Sequence, residues 1–176
     1  MMALQDLWFA AWQFAARAHH AQKVPGTDLP YLVHLGTVSM EILVAHEQEP
    51  FERPALAVQC ALLHDTLEDT DTQEHELVAT FGEDVAAGVR ALTKSSTLPK
   101  ADAMADSLRR IRAQPREVWA VKLADRIANL ARPPSYWTDE KIVAYRDEAR
   151  SILAALGTAH EPLAKRLADR IAAYPP

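Results

Sequence analysis

The stretch Leu62-Leu63-His64-Asp65-Thr66-Leu67-Glu68-Asp69 carries both the fold and the chemistry of this chain. Before it runs an apolar segment from Ala55 to Leu63, interrupted by Gln59, which reads as a buried helix. That helix passes straight into one imidazole and three carboxylates. His64 and Asp65 are neighbours, about 100° apart on a helix, so both lean toward an ion lying between their directions. Glu68 follows His64, and Asp69 follows Asp65, at the i, i+4 spacing that puts each pair on one face. Burying that much like charge is costly unless a cation offsets it. Nitrogen and oxygen donors together suit Mn²⁺, Fe²⁺ or Zn²⁺ better than Mg²⁺ or Ca²⁺. The plainer reading is a helix C-terminus with solvated acids.

A second segment, Val121-Lys122-Leu123-Ala124-Asp125-Arg126-Ile127-Ala128-Asn129-Leu130, reads as another buried helix. Asp125 and Asn129 share a face, and an acid inside such a helix needs a counter-charge. A buried pair of Asp125 with Arg126 or Lys122 would serve equally well. The third segment, Pro30-Tyr31-Leu32-Val33-His34, enters a helix after a turn-rich loop. A lone histidine there is more often structural than a ligand. Joined to His64, Asp65 and Asp125, however, His34 completes a two-His, two-Asp set with positions left for water and substrate. His19 reads as a packing residue behind the site and His20 as exposed. His46, His75 and His160 sit in polar surroundings and read as surface residues.

The rest of the chain supports an all-α fold. Five glycines, few alternating patterns and long Ala-, Leu-, Glu- and Arg-rich stretches predict about nine helices in one bundle-like domain, 1–176. They are expected at about 4–22, 34–48, 53–69, 73–81, 82–94, 100–114, 115–131, 139–156 and 159–173. With 176 residues, 49% of them hydrophobic, a core forms without staples, and the single cysteine, Cys60, has no partner for a disulfide. No basic segment followed by an apolar run opens the chain, and no stretch approaches the ~20 apolar residues of a membrane span. The cytoplasm is the expected compartment. A net charge of −5 and a pI near 5.8 argue against a nucleic-acid partner. A small anion remains compatible, given a metal and a few local cations. The amphipathic helices from Asp139 onward complete the core or form a homodimer face; the sequence leaves both open.

The order and spacing of His34, His64-Asp65 and Asp125 resemble the HD phosphohydrolase superfamily. The finer resemblance is to the hydrolase domain of RelA/SpoT-type alarmone enzymes, above all the stand-alone small alarmone hydrolases and the metazoan SpoT homologue. Ala61 to Thr70 and Val121 to Leu130 carry it most specifically. Ala18-His19 with Gln22, Pro30-Tyr31 and His34, and then Ala91 to Lys94 with Ala105 to Ile111, match more loosely. The resemblance spans about residues 4–156. It implies that His34, His64, Asp65 and Asp125 hold one Mn²⁺ and that Glu68 and Asp69 activate the attacking water. It also implies Asn129 at the nucleotide sugar, Tyr31 and Lys23 near the base, and Lys94, Ser107 and Arg109 facing the phosphates. Lys100 joins Lys94 and Arg109 as a cation able to neutralise leaving pyrophosphate. The implied reaction removes pyrophosphate from the 3′ position of ppGpp or pppGpp.

Departures from the family pattern bear on substrate choice. Val24 stands where the family usually has Arg, with Lys23 beside it, and Lys cannot stack on a base as a planar guanidinium does. The loop Pro25–Leu29 differs from the usual basic form, and Leu35 replaces a usual Pro. Three alternatives stay open: another HD phosphatase acting on a nucleotide 5′-monophosphate or the NADPH 2′-phosphate, a nucleotide-binding regulator without catalysis, and a structural helical module.

Overall fold

A computed structural model describes residues 2–95 and 97–175, with the side chains of Lys100 and Ala101 outside the description. The chain forms α1 (Leu4–Ala18), α2 (Leu32–Gln48), α3 (Pro54–Leu63), α4 (Thr66–Asp69), α5 (Glu74–Phe81), α6 (Glu83–Leu92), α7 (Lys100–Arg112), α8 (Arg116–Asn129), α9 (Asp139–Leu156) and α10 (Glu161–Ala173). A 3₁₀ turn, Gly157–Ala159, joins the last two. No strand occurs among the described residues; Lys23 and Pro30 make an isolated β-bridge across the loop after α1. None of the described helices is long and apolar enough to cross a membrane.

Local sequence sets these boundaries. Pro54 occupies the first turn of α3, where its missing N–H costs nothing, and Pro99 and Pro115 sit just ahead of α7 and α8. Gln73 and Glu76 form a reciprocal capping box at α5. Gly82, at φ 88°, both ends α5 and starts α6 in a conformation that other residues resist.

The core lies around α3 and α8. Every residue of α3 from Leu56 to Leu63 is buried, as are most of α8 from Glu117 to Ile127. Helices α1, α2 and α6 pack on α3, and α2 and α10 pack on α8. This brings the start of α2, the end of α3 and the end of α8 to one place, the place the motifs singled out.

Three expectations are corrected. The helix expected over 53–69 is two: it breaks at His64-Asp65, where Asp65 has φ −100° and ψ −1° and the Thr66 hydroxyl donates to the Leu63 carbonyl at 2.7 Å. Helix α1 stops at Ala18, and the chain leaves it at His19. His160 is buried rather than exposed; its ring packs on Phe51 at 4.6 Å and its Nε2 donates to the Glu49 carbonyl at 2.8 Å. His46 is half-buried against the same Phe51, while His75 and His20 are exposed as expected.

Gly88 marks the tightest crossing. A Cβ there would lie 2.7 Å from the Cys60 sulfur and 3.1 Å from a Val118 methyl, so α6 approaches α3 and α8 only because this side chain is absent. Gly88→Ala should therefore lower unfolding free energy by about 1–3 kcal/mol in urea titration, although alanine favours an isolated helix by about 1 kcal/mol. A variant as stable as the parent would mean the three helices separate freely.

Candidate metal centre and active site

His34 stands in the first turn of α2, His64 directly follows α3, Asp65 precedes α4, and Asp125 lies in the penultimate turn of α8. Their donor atoms converge. The two Nε2 atoms of His34 and His64 are 3.3 Å apart. From Asp65 Oδ2 they lie 3.6 and 2.9 Å away, and from Asp125 Oδ1 3.5 and 3.7 Å. His34, His64 and Asp125 each offer an atom within 4.8 Å of the other two.

The chemistry of this donor set fits a divalent cation. His64 donates Nδ1–H to the Ala61 carbonyl at 2.9 Å, which fixes the tautomer and turns the Nε2 lone pair inward. The two Nε2 atoms and two carboxylates gathered here repel unless a positive charge, from a proton or a metal ion, is shared among them. Surrounding groups orient the acids without taking up all their lone pairs. Tyr31 donates its hydroxyl to Asp65 Oδ2 at 2.5 Å; Lys122 and Asn129 bind the two oxygens of Asp125 at 2.8 and 2.6 Å. The counter-charge expected beside Asp125 is thus Lys122. Arg126 instead pairs with Glu148 and covers the Tyr145 ring at 4.1 Å.

Titration behaviour follows the crowding. Burial alone would lower the His64 pKa, but the Asp65 charge and hydrogen bonds to Asp125 and Asp65 outweigh it and hold it well above the ordinary value. Burial likewise opposes ionisation of Asp65 and Asp125. The His64 charge overcomes it at Asp65, and Lys122 with His64 overcomes it at Asp125, so both stay well below the usual carboxylate range. Asp69 moves the other way: partial burial, then the Asp65 and Glu68 charges, push it up to about 6.

A cavity of about 170 Å³ opens over the cluster, lined by Tyr31, Glu68, Asp69, Lys94, Arg126 and Tyr145 among others. A second, of about 440 Å³, adjoins it through Asn129 and Tyr145 and is walled by Val24, Leu29, Pro134 and Trp137. A third, of about 480 Å³ between Phe51, Arg53, Pro115 and His160, holds none of these donors.

Of the residues singled out in the sequence, His34, Tyr31, His64, Asp65, Glu68, Asp69, Lys94, Asp125 and Asn129 come together here. Glu68 accepts the Lys94 backbone N–H at 2.8 Å. Others lie elsewhere. Lys23 is exposed and pairs with Asp28 at 2.7 Å, and it is Val24 that faces the second cavity. Ser107 is fully buried with its hydroxyl unpartnered among the described residues, and Arg109 is exposed, bound to Asp106 at 2.6 Å beside Leu108 and Arg112. The side chain of Lys100 lies outside the described residues. Sequence reading did not give Lys122, Arg126 or Tyr145 a place in the cavity. The i, i+3 spacing of Lys122 and Asp125 was the available signal for the first; Tyr145 comes from a distant helix and had none.

Asp69 offers a direct test of the crowding. In metal-free protein its carboxyl should titrate near 6 by carbon-detected NMR, and adding a divalent cation should move the titration lower, because a positive charge nearby favours the carboxylate. A value near 4 without metal would mean Asp69 feels neither Asp65 nor Glu68.

Comparison with known proteins gives the following similarities. Residues 11–167 match the HD domain family. A protein of Danio rerio, guanosine-3′,5′-bis(diphosphate) 3′-pyrophosphohydrolase MESH1, is 30% identical over 159 residues, 88% of this chain and 86% of that one. The guanosine-3′,5′-bis(diphosphate) 3′-pyrophosphohydrolase of Aquifex aeolicus is 33% identical over 164 residues, 89% of this chain but 21% of that larger protein. A solved structure described as a metazoan orthologue of SpoT that hydrolyses ppGpp superposes with a TM-score of 0.81 at 27% identity, over 94% of both chains.

Proposed function

We propose that this chain, which belongs to the HD domain family, is a guanosine-3′,5′-bis(diphosphate) 3′-pyrophosphohydrolase. It would cleave ppGpp to GDP and pyrophosphate, and pppGpp to GTP and pyrophosphate. One observation carries the reading: a two-His, two-Asp cluster whose Asp65 and Asp125 line one cavity with Glu68 and Asp69, in a chain that matches hydrolases of that name over most of both lengths.

In this reading His34, His64, Asp65 and Asp125 hold one divalent ion, for which we propose Mn²⁺. When bound, such an ion supplies Lewis acidity at the phosphorus and a more acidic water. Glu68 and Asp69 hold the attacking water and accept its proton. The water oxygen forms a bond to the phosphorus attached to the ribose 3′-oxygen. The bond between that phosphorus and the 3′-oxygen breaks, and the 3′-oxygen leaves as a hydroxyl by taking up the proton that Glu68 or Asp69 accepted from the water. Lys94 and Arg126 both line the cavity and supply its positive charge for the phosphate oxygens. Asn129 and Tyr145 stand where the two cavities meet, suited to the ribose, and the larger apolar cavity has room for the base.

The deciding experiment is hydrolysis of ppGpp with Mn²⁺, with products identified, beside a panel of NADPH and deoxynucleoside monophosphates. We expect GDP and pyrophosphate from ppGpp, and loss of turnover with chelator. Preference for a panel member over ppGpp would overturn the substrate assignment. His64→Ala and Asp65→Ala should lose bound metal and turnover together. Glu68→Gln should keep its metal by elemental analysis while kcat falls by roughly 10²- to 10⁴-fold, the usual worth of a general base; an unchanged kcat would remove Glu68 from the chemistry.

A further inference from the structure

The two acids assigned to the water stand on α4, a single helical turn, which does not hold its shape alone. Local ties fasten its ends: Thr66 to the Leu63 carbonyl, and Thr70 to the Thr66 carbonyl at 2.6 Å. One tie on Asp69 comes from far along the chain. The Gln22 side-chain amide donates to the Asp69 carbonyl. The other end of that amide, Oε1, accepts Nδ1–H of His19 at 2.6 Å. Gln22 is itself fixed, since its N–H reaches the His19 carbonyl and its carbonyl takes the Tyr31 N–H, both at 3.0 Å.

His19 is only 2% exposed, and its ring stacks on Tyr31 at 5.0 Å. Burial lowers its pKa, the Gln22 bond only partly offsetting this, so the ring is neutral. With Nδ1 carrying the proton, Nε2 is a buried lone pair without a partner among the described residues. Such a lone pair is costly to bury. As a wall behind Tyr31, a phenyl ring would stack equally well and carry no unpartnered nitrogen, but it would leave Gln22 Oε1 without its donor. What an imidazole adds is the Nδ1–H, and that bond decides which way the Gln22 amide faces. With its oxygen held by His19, the NH₂ must point at Asp69. A flipped amide would set oxygen against the Asp69 carbonyl. The same ring also backs Tyr31, which holds Asp65.

We propose that His19 and Gln22 are positioning residues for the hydrolysis, holding the turn that carries Glu68 and Asp69 at its working distance from the metal ligands. The inference rests on the role given to Asp69 above. A misplacement of about 1 Å costs about 10²-fold in rate, so His19→Phe and Gln22→Leu should each lower kcat for ppGpp by about 10- to 100-fold, with KM and bound metal little changed.

The test pairs that measurement with three others. His19→Phe removes the unpartnered nitrogen and keeps the stack while losing the Gln22 bond, so its Tm should stay near the parent's while kcat falls; a structural role alone would lower Tm and leave kcat unchanged. In an Asp69→Asn background, His19→Phe should cost less than in the parent, because part of its effect runs through Asp69. Amide exchange at Asp69, whose N–H bonds the Asp65 carbonyl at 2.9 Å, should quicken in both variants while α8 amides stay unchanged. Full kcat in both variants, or an additive loss with Asp69→Asn, or unchanged Asp69 exchange, would overturn the proposal. A parent enzyme inert toward ppGpp, with quickened Asp69 exchange in the variants, would overturn the substrate reading and leave the tether standing.

Discussion

Two imidazoles and two carboxylates converge in the interior, with ring nitrogens and carboxylate oxygens 2.9 to 3.7 Å apart, and the architecture is arranged around making that tolerable. The helices contribute to the demand for positive charge. Helices α3 and α8 both end at the cluster, and a helix C-terminus carries partial negative charge from its unpaired carbonyls. Lys122 answers part of this from within α8, three residues before the acid it binds. It cannot answer all, because it reaches one oxygen of Asp125 and none of the Asp65 carboxylate.

That demand explains why the donor set was legible in the sequence. A helix buried on every side from Leu56 to Leu63 has no reason to run into His64 and Asp65 unless those groups meet something. The same logic singled out Asp125 inside a helix of Val121, Leu123, Ala124 and Ile127. Periodicity and proline punctuation gave the helices, since capping and first-turn preferences are local and act wherever the residues stand. His34 was legible only by association, because a single histidine at a helix start has many uses.

The remainder depended on tertiary contacts that no local pattern carries. The helix break at His64-Asp65 is invisible because every residue from Leu62 to Asp69 tolerates a helix; convergence on a shared point bends the chain there. His160 looks solvated between threonine, glutamate and proline, yet Phe51 from a distant loop covers it. Ser107 and Arg109 are separated from the cavity by the roll of α7, which buries the hydroxyl and turns the guanidinium to Asp106. A shift of 100° per residue is enough to exchange core for solvent, and a loosely matching segment does not fix that angle.

The cluster also has to reconcile an acidic chain with a substrate bearing several phosphates. Around the cavity Asp65, Glu68, Asp69 and Asp125 outnumber Lys94, Lys122 and Arg126, so a polyphosphate approaching the bare residues meets net repulsion unless protons are taken up. The raised pKa of His64 and of Asp69 is the cluster taking up those protons. A metal ligand, though, must offer a lone pair, so an ion binding at His64 displaces the proton held there. Loading therefore exchanges a single charge for a double one at the point where the four donors meet. The same exchange favours the carboxylate form of Asp69, the form able to accept a proton from water. In the proposed reading, metal binding, attraction of the anionic substrate and readiness of the base would be coupled through one buried charge, and the packing of α2, α3 and α8 would serve to hold its ligands together.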